Sequence, residues 1–329
     1  MESERRKKVV VMGGGTGTFV VLSGLKRYPV DLTAIVSMAD TGGSARKERD
    51  EYGLLPSSDV RKALVALAEA NGKRGGLLRE LFSYRFEEGD LTGMTFGNLF
   101  LVALSKVLGS QQVAIERAGE ILRIKGRVLP VTMDKVDLVA KYEDGSEVLG
   151  EHMIDQPMHD GKLKIVELIT KPGGRIFPRA KEALEEAEMI ILGPGDLYTS
   201  VLATVVVDEV AKILQKTKAT LVYVMNLMTR FGQTWGFAAS DHLRELNKYI
   251  GRKMDVVVVN KAPLPKKVVE KYQVSLAEPV KDDVGESSGI VRADVLLPIE
   301  VVRESGDVLE RSLLRHDPDK LAAKLVRLK

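Results

Sequence analysis

Short apolar runs punctuate this chain, and several of them end in glycine or a small polar residue. Val9-Val10-Val11-Met12 is the first; residues 32–36, 189–192, 221–225, 256–259 and 290–297 repeat the device. Short β-branched runs of this kind predict buried strands of a parallel sheet. Between them lie stretches with helical spacing. Residues 19–26 predict one helix. Pro56-Ser57-Ser58-Asp59 opens another, with Val60, Ala63, Leu64, Leu67 and Ala68 on one face. Residues 75–85 suggest a third. Thr95 caps a fourth, whose stripe of Phe96, Leu99, Phe100, Ala103, Leu104, Val107 and Leu108 is expected to face the core. Asn98 lies off that stripe, where packing gives no reason for it. Residues 45–55, crowded with Arg46, Lys47, Glu48, Arg49, Asp50 and Glu51, predict a mobile or ligand-ordered segment.

The pattern changes over 126–170. Residues 127–132, 136–142, 146–149 and 162–169 read as strands, with Asp144-Gly145 as a primed hairpin turn. A β-rich insertion within an α/β alternation follows. The expected organisation is a single domain over 8–320, with 1–7 as a flexible tail. In an open parallel sheet the polar strand ends line one crevice.

Those ends carry the candidate chemistry. Gly13-Gly14-Gly15-Thr16-Gly17-Thr18 follows the first strand and precedes a helix. Glycines permit a sharp turn and a close backbone approach, and a helix N-terminus attracts phosphate. The spacing fits neither the dinucleotide fingerprint nor the P-loop. Asp40-Thr41-Gly42-Gly43-Ser44 closes the second strand, and Asp40 falls where a nucleotide-binding fold places a ribose-binding carboxylate; a plain turn is the alternative. Gly193-Pro194-Gly195-Asp196, with Thr199 and Ser200, repeats the strand–glycine–helix device, and Asn226 to Thr229 ends another strand. Arg315 precedes an Asp317-Pro318 helix start, an unfavourable place for a cation unless an anionic ligand comes near.

Composition narrows the classes. Of 329 residues, 44% are hydrophobic and 29% charged, as in an ordinary globular protein. A net charge of +3, from 49 basic and 46 acidic residues, does not imply nucleic acid as a partner. With no cysteine there is neither disulfide nor thiolate site. No apolar stretch approaches a membrane span, and a cytoplasmic location is expected.

Three other signals are weaker. Gly285-Glu286-Ser287-Ser288-Gly289 matches the hydrolase elbow but lacks the strand before and helix after. His152, Asp155, His159 and Asp160 match no metal spacing and read as a solvated loop. Ser240-Asp241-His242 reads as a helix cap.

Taken together, the glycine loops, Asp59-Val60-Arg61-Lys62, Phe96-Gly97-Asn98-Leu99, Gly126-Arg127-Val128-Leu129-Pro130-Val131, Leu197-Tyr198-Thr199-Ser200, Asn226-Leu227-Met228-Thr229, Ala239-Ser240-Asp241-His242 and Arg315-His316-Asp317 resemble one family over residues 9–320. It is that of the YvcK-like gluconeogenesis factors, relatives of 2-phospho-L-lactate transferase, CofD. The resemblance implies a Rossmann-like, doubly wound sheet that binds a nucleotide-sugar, UDP-N-acetylglucosamine in particular. It implies a regulatory role in central carbon metabolism, peptidoglycan synthesis and cell shape, with no required cofactor, no metal and no catalytic residue. The expected ligand contacts are the three glycine loops with Asp59, Asn98, Asn226, Thr229 and Arg315. A metal-assisted transferase using Mg, of the CofD kind, and an NAD(P)-binding oxidoreductase are the alternatives. A protein partner in cell-wall or metabolic regulation and a homo-oligomer stay open. Thr41 stands where the family often has a second Asp, Ser58 where Gly is usual, and Asp196 where Ser is common.

Overall fold

The structure, a computed structural model, describes residues 5–69, 72–298 and 313–328, apart from the side chains of 43, 44, 46 and 72–74. The chain opens with β1 (Lys7–Gly13), α1 (Gly15–Leu25), β2 (Val30–Val36), α2 (Gly43–Asp50) and α3 (Ser58–Leu67). Next come α4 (Gly72–Ser83), α5 (Phe96–Leu108), α6 (Gln111–Ile121) and β3 (Arg127–Pro130). β4 (Asp137–Tyr142), β5 (Glu147–Leu149), α7 (Glu151–Asp155), β6 (Ile165–Lys171) and α8 (Pro178–Glu185) follow. β7 (Met189–Leu192) leads into a π-helical turn (Leu197–Leu202), α9 (Ala203–Val205) and α10 (Val210–Lys216). The remainder is β8 (Thr220–Val224), α11 (Ala239–Ile250), β9 (Val256–Asn260), α12 (Lys266–Gln273), β10 (Ile290–Ala293) and α13 (Pro318–Leu325).

Seven parallel strands form the main sheet in the order β10-β9-β8-β7-β1-β2-β3. Strand periodicity sorts its side chains into two layers. Val10 and Met12 of β1 face one core with Ile190, Leu192, Leu221 and Tyr223, beneath α8, α10 and α11. Val9 and Val11 face the other with Met189, Ile191, Val222 and Val224, beneath α1, α3, α6 and α13. Helices on both faces make this a doubly wound α/β fold. Each fully buried aliphatic side chain contributes about 1.5–3 kcal/mol, so the central strands are its rigid frame. The chain runs outward from β1 through β2 to β3, and outward the other way from β7 through β8 and β9 to β10. The β1/β7 boundary is therefore the topological switch point, where such folds open a crevice.

A second sheet, β5-β4-β6, is antiparallel and packs through Leu138, Ala140, Tyr142 and Leu168 into the first core. Arg127–Pro130, expected at the head of the β-rich insertion, instead pairs with β2 in the main sheet. The hairpin between β4 and β5 is not of the primed type. Only Gly145 has positive φ (+85°), and Tyr142 accepts its N–H while donating to Ser146, as in a three-residue loop ending in a glycine bulge. The expected tail is also shorter: Lys7 already pairs with Val30.

Two helical expectations are corrected. Residues 45–55, expected to be mobile or ordered by a ligand, are in part the helix α2 (Gly43–Asp50), anchored by the fully buried Glu48. Its carboxyl accepts from the Ser57 N–H at 2.8 Å, the Ser57 hydroxyl at 2.6 Å and Asn98 Nδ2 at 2.7 Å. α5 buries Gly97, Asn98, Leu101, Val102 and Ser105 most fully; of the predicted stripe, Phe96, Phe100 and Leu104 pack against the core only partly buried, and Val107 is 81% exposed. Asn98 faces inward to reach Glu48 and Arg61, and Gly97 lets the helix close on Arg61. A Cβ at Gly97 would stand 2.7 Å from Arg61 Cδ and 2.6 Å from the Phe82 carbonyl oxygen. Among the described residues no helix is long and apolar enough to cross a membrane.

Candidate functional site

β1 and β7 pair with Met12 opposite Leu192, so the loops that follow them leave the sheet side by side. In the first loop Gly15 has φ +65°, a conformation costly for any other residue. The next contact is steric: a Cβ at Gly17 would lie 1.9 Å from the Pro194 carbonyl oxygen, so the first turn of α1 rests directly on the second loop. Asn226, just past β8, clamps that loop. Its Oδ1 accepts from the Gly195 N–H at 3.3 Å and its Nδ2 donates to the Gly195 carbonyl at 2.8 Å. Gly24 brings in the C-terminal segment, because a Cβ there would meet the Pro318 carbonyl oxygen at 2.1 Å. Asp317 caps α13, accepting from the Asp319 and Lys320 N–H groups, as its sequence predicts.

These contacts enclose a cavity of about 680 Å³. Gly14, Gly15, Thr16 and Gly17 line it from the first loop, and Pro194, Gly195, Asp196, Thr199 and Ser200 from the second. Asp40, Gly42, Asp59, Asn98, Asn226, Thr229 and Arg315 complete the predicted residues that reach it. Gly13, Thr18, Thr41 and Gly193 stand behind this wall. The Thr41 hydroxyl accepts from the His152 N–H at 3.0 Å and so fixes the start of α7. Gly43 and Ser44 begin α2, and their side chains lie outside the described residues.

Several lining residues already use their polar atoms on the protein. Asn98 Oδ1 accepts from Arg61 Nε at 2.9 Å while its Nδ2 serves Glu48. Gln233 Nε2 donates to the Thr199 hydroxyl and to Asp155 Oδ1, both at 3.1 Å. Thr229 is laced to Glu278 through backbone and hydroxyl. These residues shape the wall more than they offer free ligand contacts.

The electrostatics are uneven. Asp40 and Asp196 from loops, Asp59 from α3, and Glu151 and Asp155 from α7 all line the cavity, and the four aspartates act electrostatically on Glu151. Burial raises the Asp40 carboxyl above its ordinary range, with the Asp59 charge adding to it. Glu151 is raised well above its range by burial and then by the charges of Asp40, Asp155, Asp59 and Asp196. The aspartates that look scattered in sequence are therefore electrostatic neighbours. Lys62 offsets part of this charge at 3.3 Å from Asp59, and Arg230 pairs with Asp155 at 3.2 Å. Among the described residues no three His, Asp or Glu side chains are arranged to hold a metal ion.

Glu151, His152 and Asp155 are the main residues missed in sequence. Their segment is a short helix on the cavity wall rather than a solvated loop, and Asp155 is buried. The signal was the clustering of His152, Asp155, His159 and Asp160, which only the fold could assign. The cap reading of Ser240-Asp241-His242 holds: Asp241 Oδ2 accepts from the Ala238 N–H at 2.8 Å. His242 is fully buried, with Nδ1 3.3 Å from the Tyr223 hydroxyl. Ser287 precedes β10 with no helix after it, which removes the elbow.

The profile of the family described as 2-phospho-L-lactate transferase CofD matches residues 9–296. The chain belongs to the CofD family. It is 42% identical over 322 residues to a Thermotoga maritima protein, covering 98% of this chain and 99% of that one. Over 326 residues it is 36% identical to the gluconeogenesis factor of Bacillus subtilis, covering 98% of each chain. A crystal structure of a UPF0052 family member from Bacillus halodurans superposes with a TM-score of 0.87 at 34% identity, covering 98% of this chain and 100% of that one. The family thus joins an enzyme name to relatives named for a metabolic factor, and the two names differ in what the cavity is expected to do.

Proposed function

We propose that this cavity binds a nucleotide-sugar, UDP-N-acetylglucosamine, and that the chain acts as a ligand-reading regulator of central carbon metabolism, peptidoglycan synthesis and cell shape. The observation that carries the reading is the interlock of two glycine loops at the switch point, with no room for a Cβ at Gly17. Such a pair offers backbone N–H groups and a helix N-terminus to a diphosphate. The cavity extends from there to Leu227, Met228, Tyr272 and Leu314, an apolar end suited to a base or sugar face. The names of the relatives supply the metabolic context. The gathered carboxylates favour a second reading, a metal-assisted transferase, in which a divalent cation shared with the ligand's phosphates offsets the Asp40–Asp59–Glu151 charge.

Thermal-shift screening against UDP-sugars, NAD(P), GTP and GDP, with and without Mg²⁺, tests the ligand class, since stabilisation follows occupancy. Selective stabilisation by UDP-N-acetylglucosamine is expected. Incubation with that ligand and Mg²⁺ or Mn²⁺, assayed for UDP, UMP and free sugar, separates the two readings. Product growing past one equivalent and abolished in Asp40→Asn replaces the regulator with the transferase.

A further inference from the structure

We propose that the cavity holds a second oxyanion subsite at the N-terminus of α5, formed by Thr95, Arg61 and Arg85 and separate from the glycine loops. Three positive features meet there. Arg61 and Arg85 both line the cavity, as does Thr95 at the N-cap of the 13-residue helix. Arg61 is pressed onto the first turn of α5 by the absence of a side chain at Gly97. A guanidinium beside a helix N-terminus is electrostatically unfavourable, and a second guanidinium nearby adds to the cost. Burial, and after it the Arg85 charge, lower the Arg61 pKa to about 10, with the Asp59 and Glu48 charges acting the other way.

Among the described residues no carboxylate makes an ion pair with either guanidinium. Arg61 donates to Asn98 Oδ1 and to the Phe82 carbonyl, and Arg85 to the Gly93 carbonyl; all three acceptors are neutral. The Asp59 and Glu48 charges offset Arg61 only in part, and the Glu48 carboxyl is turned to Ser57 and Asn98.

The hydroxyl of Thr95 is the independent sign. Thr95 is 2% exposed and its Oγ1 has no hydrogen-bond partner among the described residues. A threonine at an N-cap ordinarily accepts from the third residue of the helix. Here the Asn98 N–H goes to the Thr95 carbonyl instead, at 3.1 Å. A buried hydroxyl without a partner is costly unless a ligand supplies one. The chemistry that satisfies a hydroxyl, two guanidinium groups and a helix N-terminus together is a phosphate or carboxylate oxygen. It can arrive as a separate small effector or as an anionic group of the nucleotide ligand itself.

Calorimetric titration of the full chain with inorganic phosphate, alone and with saturating UDP-N-acetylglucosamine, tests this. Saturable phosphate binding is expected, weakened about ten-fold or more in Thr95→Val and in Arg85→Met and recovered in part by Thr95→Ser. Thr95→Val removes a hydroxyl that bonds to nothing among the described residues, so its melting temperature without phosphate should equal or exceed that of the parent chain. A purely structural threonine would show the reverse. Phosphate binding that survives the nucleotide-sugar assigns the subsite to a separate effector; binding abolished by it assigns the subsite to the nucleotide ligand. Both support the subsite. Phosphate affinity unchanged in both variants, or no saturable binding by the parent chain, overturns it. Failure of UDP-N-acetylglucosamine to bind would bear on the nucleotide reading and leave the phosphate result standing.

Discussion

The backbone N–H of Gly15 donates to Asp59 Oδ1 at 3.0 Å. One N–H at the helix N-terminus that would receive an anion is thus already bonded to the protein's own carboxylate. The fit is tight, since a Cβ at Gly14 would stand 2.1 Å from Asp59 Oδ2. Lys62 holds the same carboxylate at 3.3 Å. A phosphate bound at the first loop would lie beside the Asp59 charge.

Asp59→Asn is expected to tighten UDP-N-acetylglucosamine binding about three- to ten-fold in metal-free buffer. Removing one charge at partly screened, short range is worth roughly 1 kcal/mol. Isothermal calorimetry of both proteins measures it. Weaker binding by the variant would instead make Asp59 a direct ligand of a hydroxyl or a cation.

Gly17→Ala should separate the two glycine loops. Its Cβ would fall 1.9 Å from the Pro194 carbonyl oxygen and 2.4 Å from its carbon, both backbone atoms held by the Asn226 clamp on Gly195. Overpacking of this kind costs roughly 1–3 kcal/mol, and nucleotide-sugar binding should be lost. Gly76→Ala in α4 is the control, since nothing lies within 4 Å of the added carbon. It should be neutral or slightly stabilising in urea unfolding. Equal behaviour of the two variants would break the interlock argument.

Where local pattern and global packing agreed, the sequence was readable. Val9-Val10-Val11-Met12 and the glycines behind it had one stable use, a central strand delivering a loop to the switch point. α5 shows where pattern misleads. Phe96, Phe100 and Leu104 of its apolar stripe do pack against the core, yet the buried Asn98–Arg61–Glu48 hydrogen bonds rotate the helix so that Asn98 is buried and Val107 is exposed. A polar network of that kind is non-local, spanning three helices, and leaves no periodic trace. The same holds for Glu48 itself, which sits unmarked in a run of charges yet organises α2. The acidic group lining the cavity was hidden for a different reason, because charges distributed over several elements become neighbours only after folding.

Stability should carry opposing pH terms. Burial lowers the pKa of His242 to about 4 and of His316 to about 4. A base depressed in the fold contributes stability above its unfolded pKa, and that contribution is lost as pH falls through the window between roughly 6.5 and 4. Glu48, pushed up to about 7 mainly by burial, acts in the other sense. Its contribution is full below the unfolded carboxyl pKa and is lost as pH rises from roughly 4.5 to 7. Urea unfolding across pH 4–8 should therefore show His242→Leu losing roughly 2–3 kcal/mol of acid sensitivity relative to the parent chain. Glu48→Gln should lose alkaline-side sensitivity over its own window. Differences from the parent that do not vary with pH would contradict both assignments.

Arg315 gives the sharpest test of the nucleotide site from the C-terminal side. Its backbone is fixed on every side: its carbonyl accepts from the Leu297 N–H at 2.9 Å, and the Leu314 N–H donates to the Tyr272 hydroxyl at 3.0 Å. His316 bridges to Leu296, and the helix cap at Asp317 follows at once. The residue lines the cavity together with the glycine loops. These backbone bonds do not depend on the guanidinium, so the ligand-free melt of Arg315→Ala measures what the guanidinium's own contacts contribute to folding. Nucleotide-sugar affinity should fall about ten-fold or more, the loss of a hydrogen bond to a charged group. Arg315→Lys should recover only part of it, since a point charge lacks the planar fork that matches phosphate or a uracil carbonyl. Calorimetry on the three proteins, paired with ligand-free melts, separates binding from folding. Normal affinity in Arg315→Ala would remove Arg315 from the site and leave the glycine loops to hold the ligand alone.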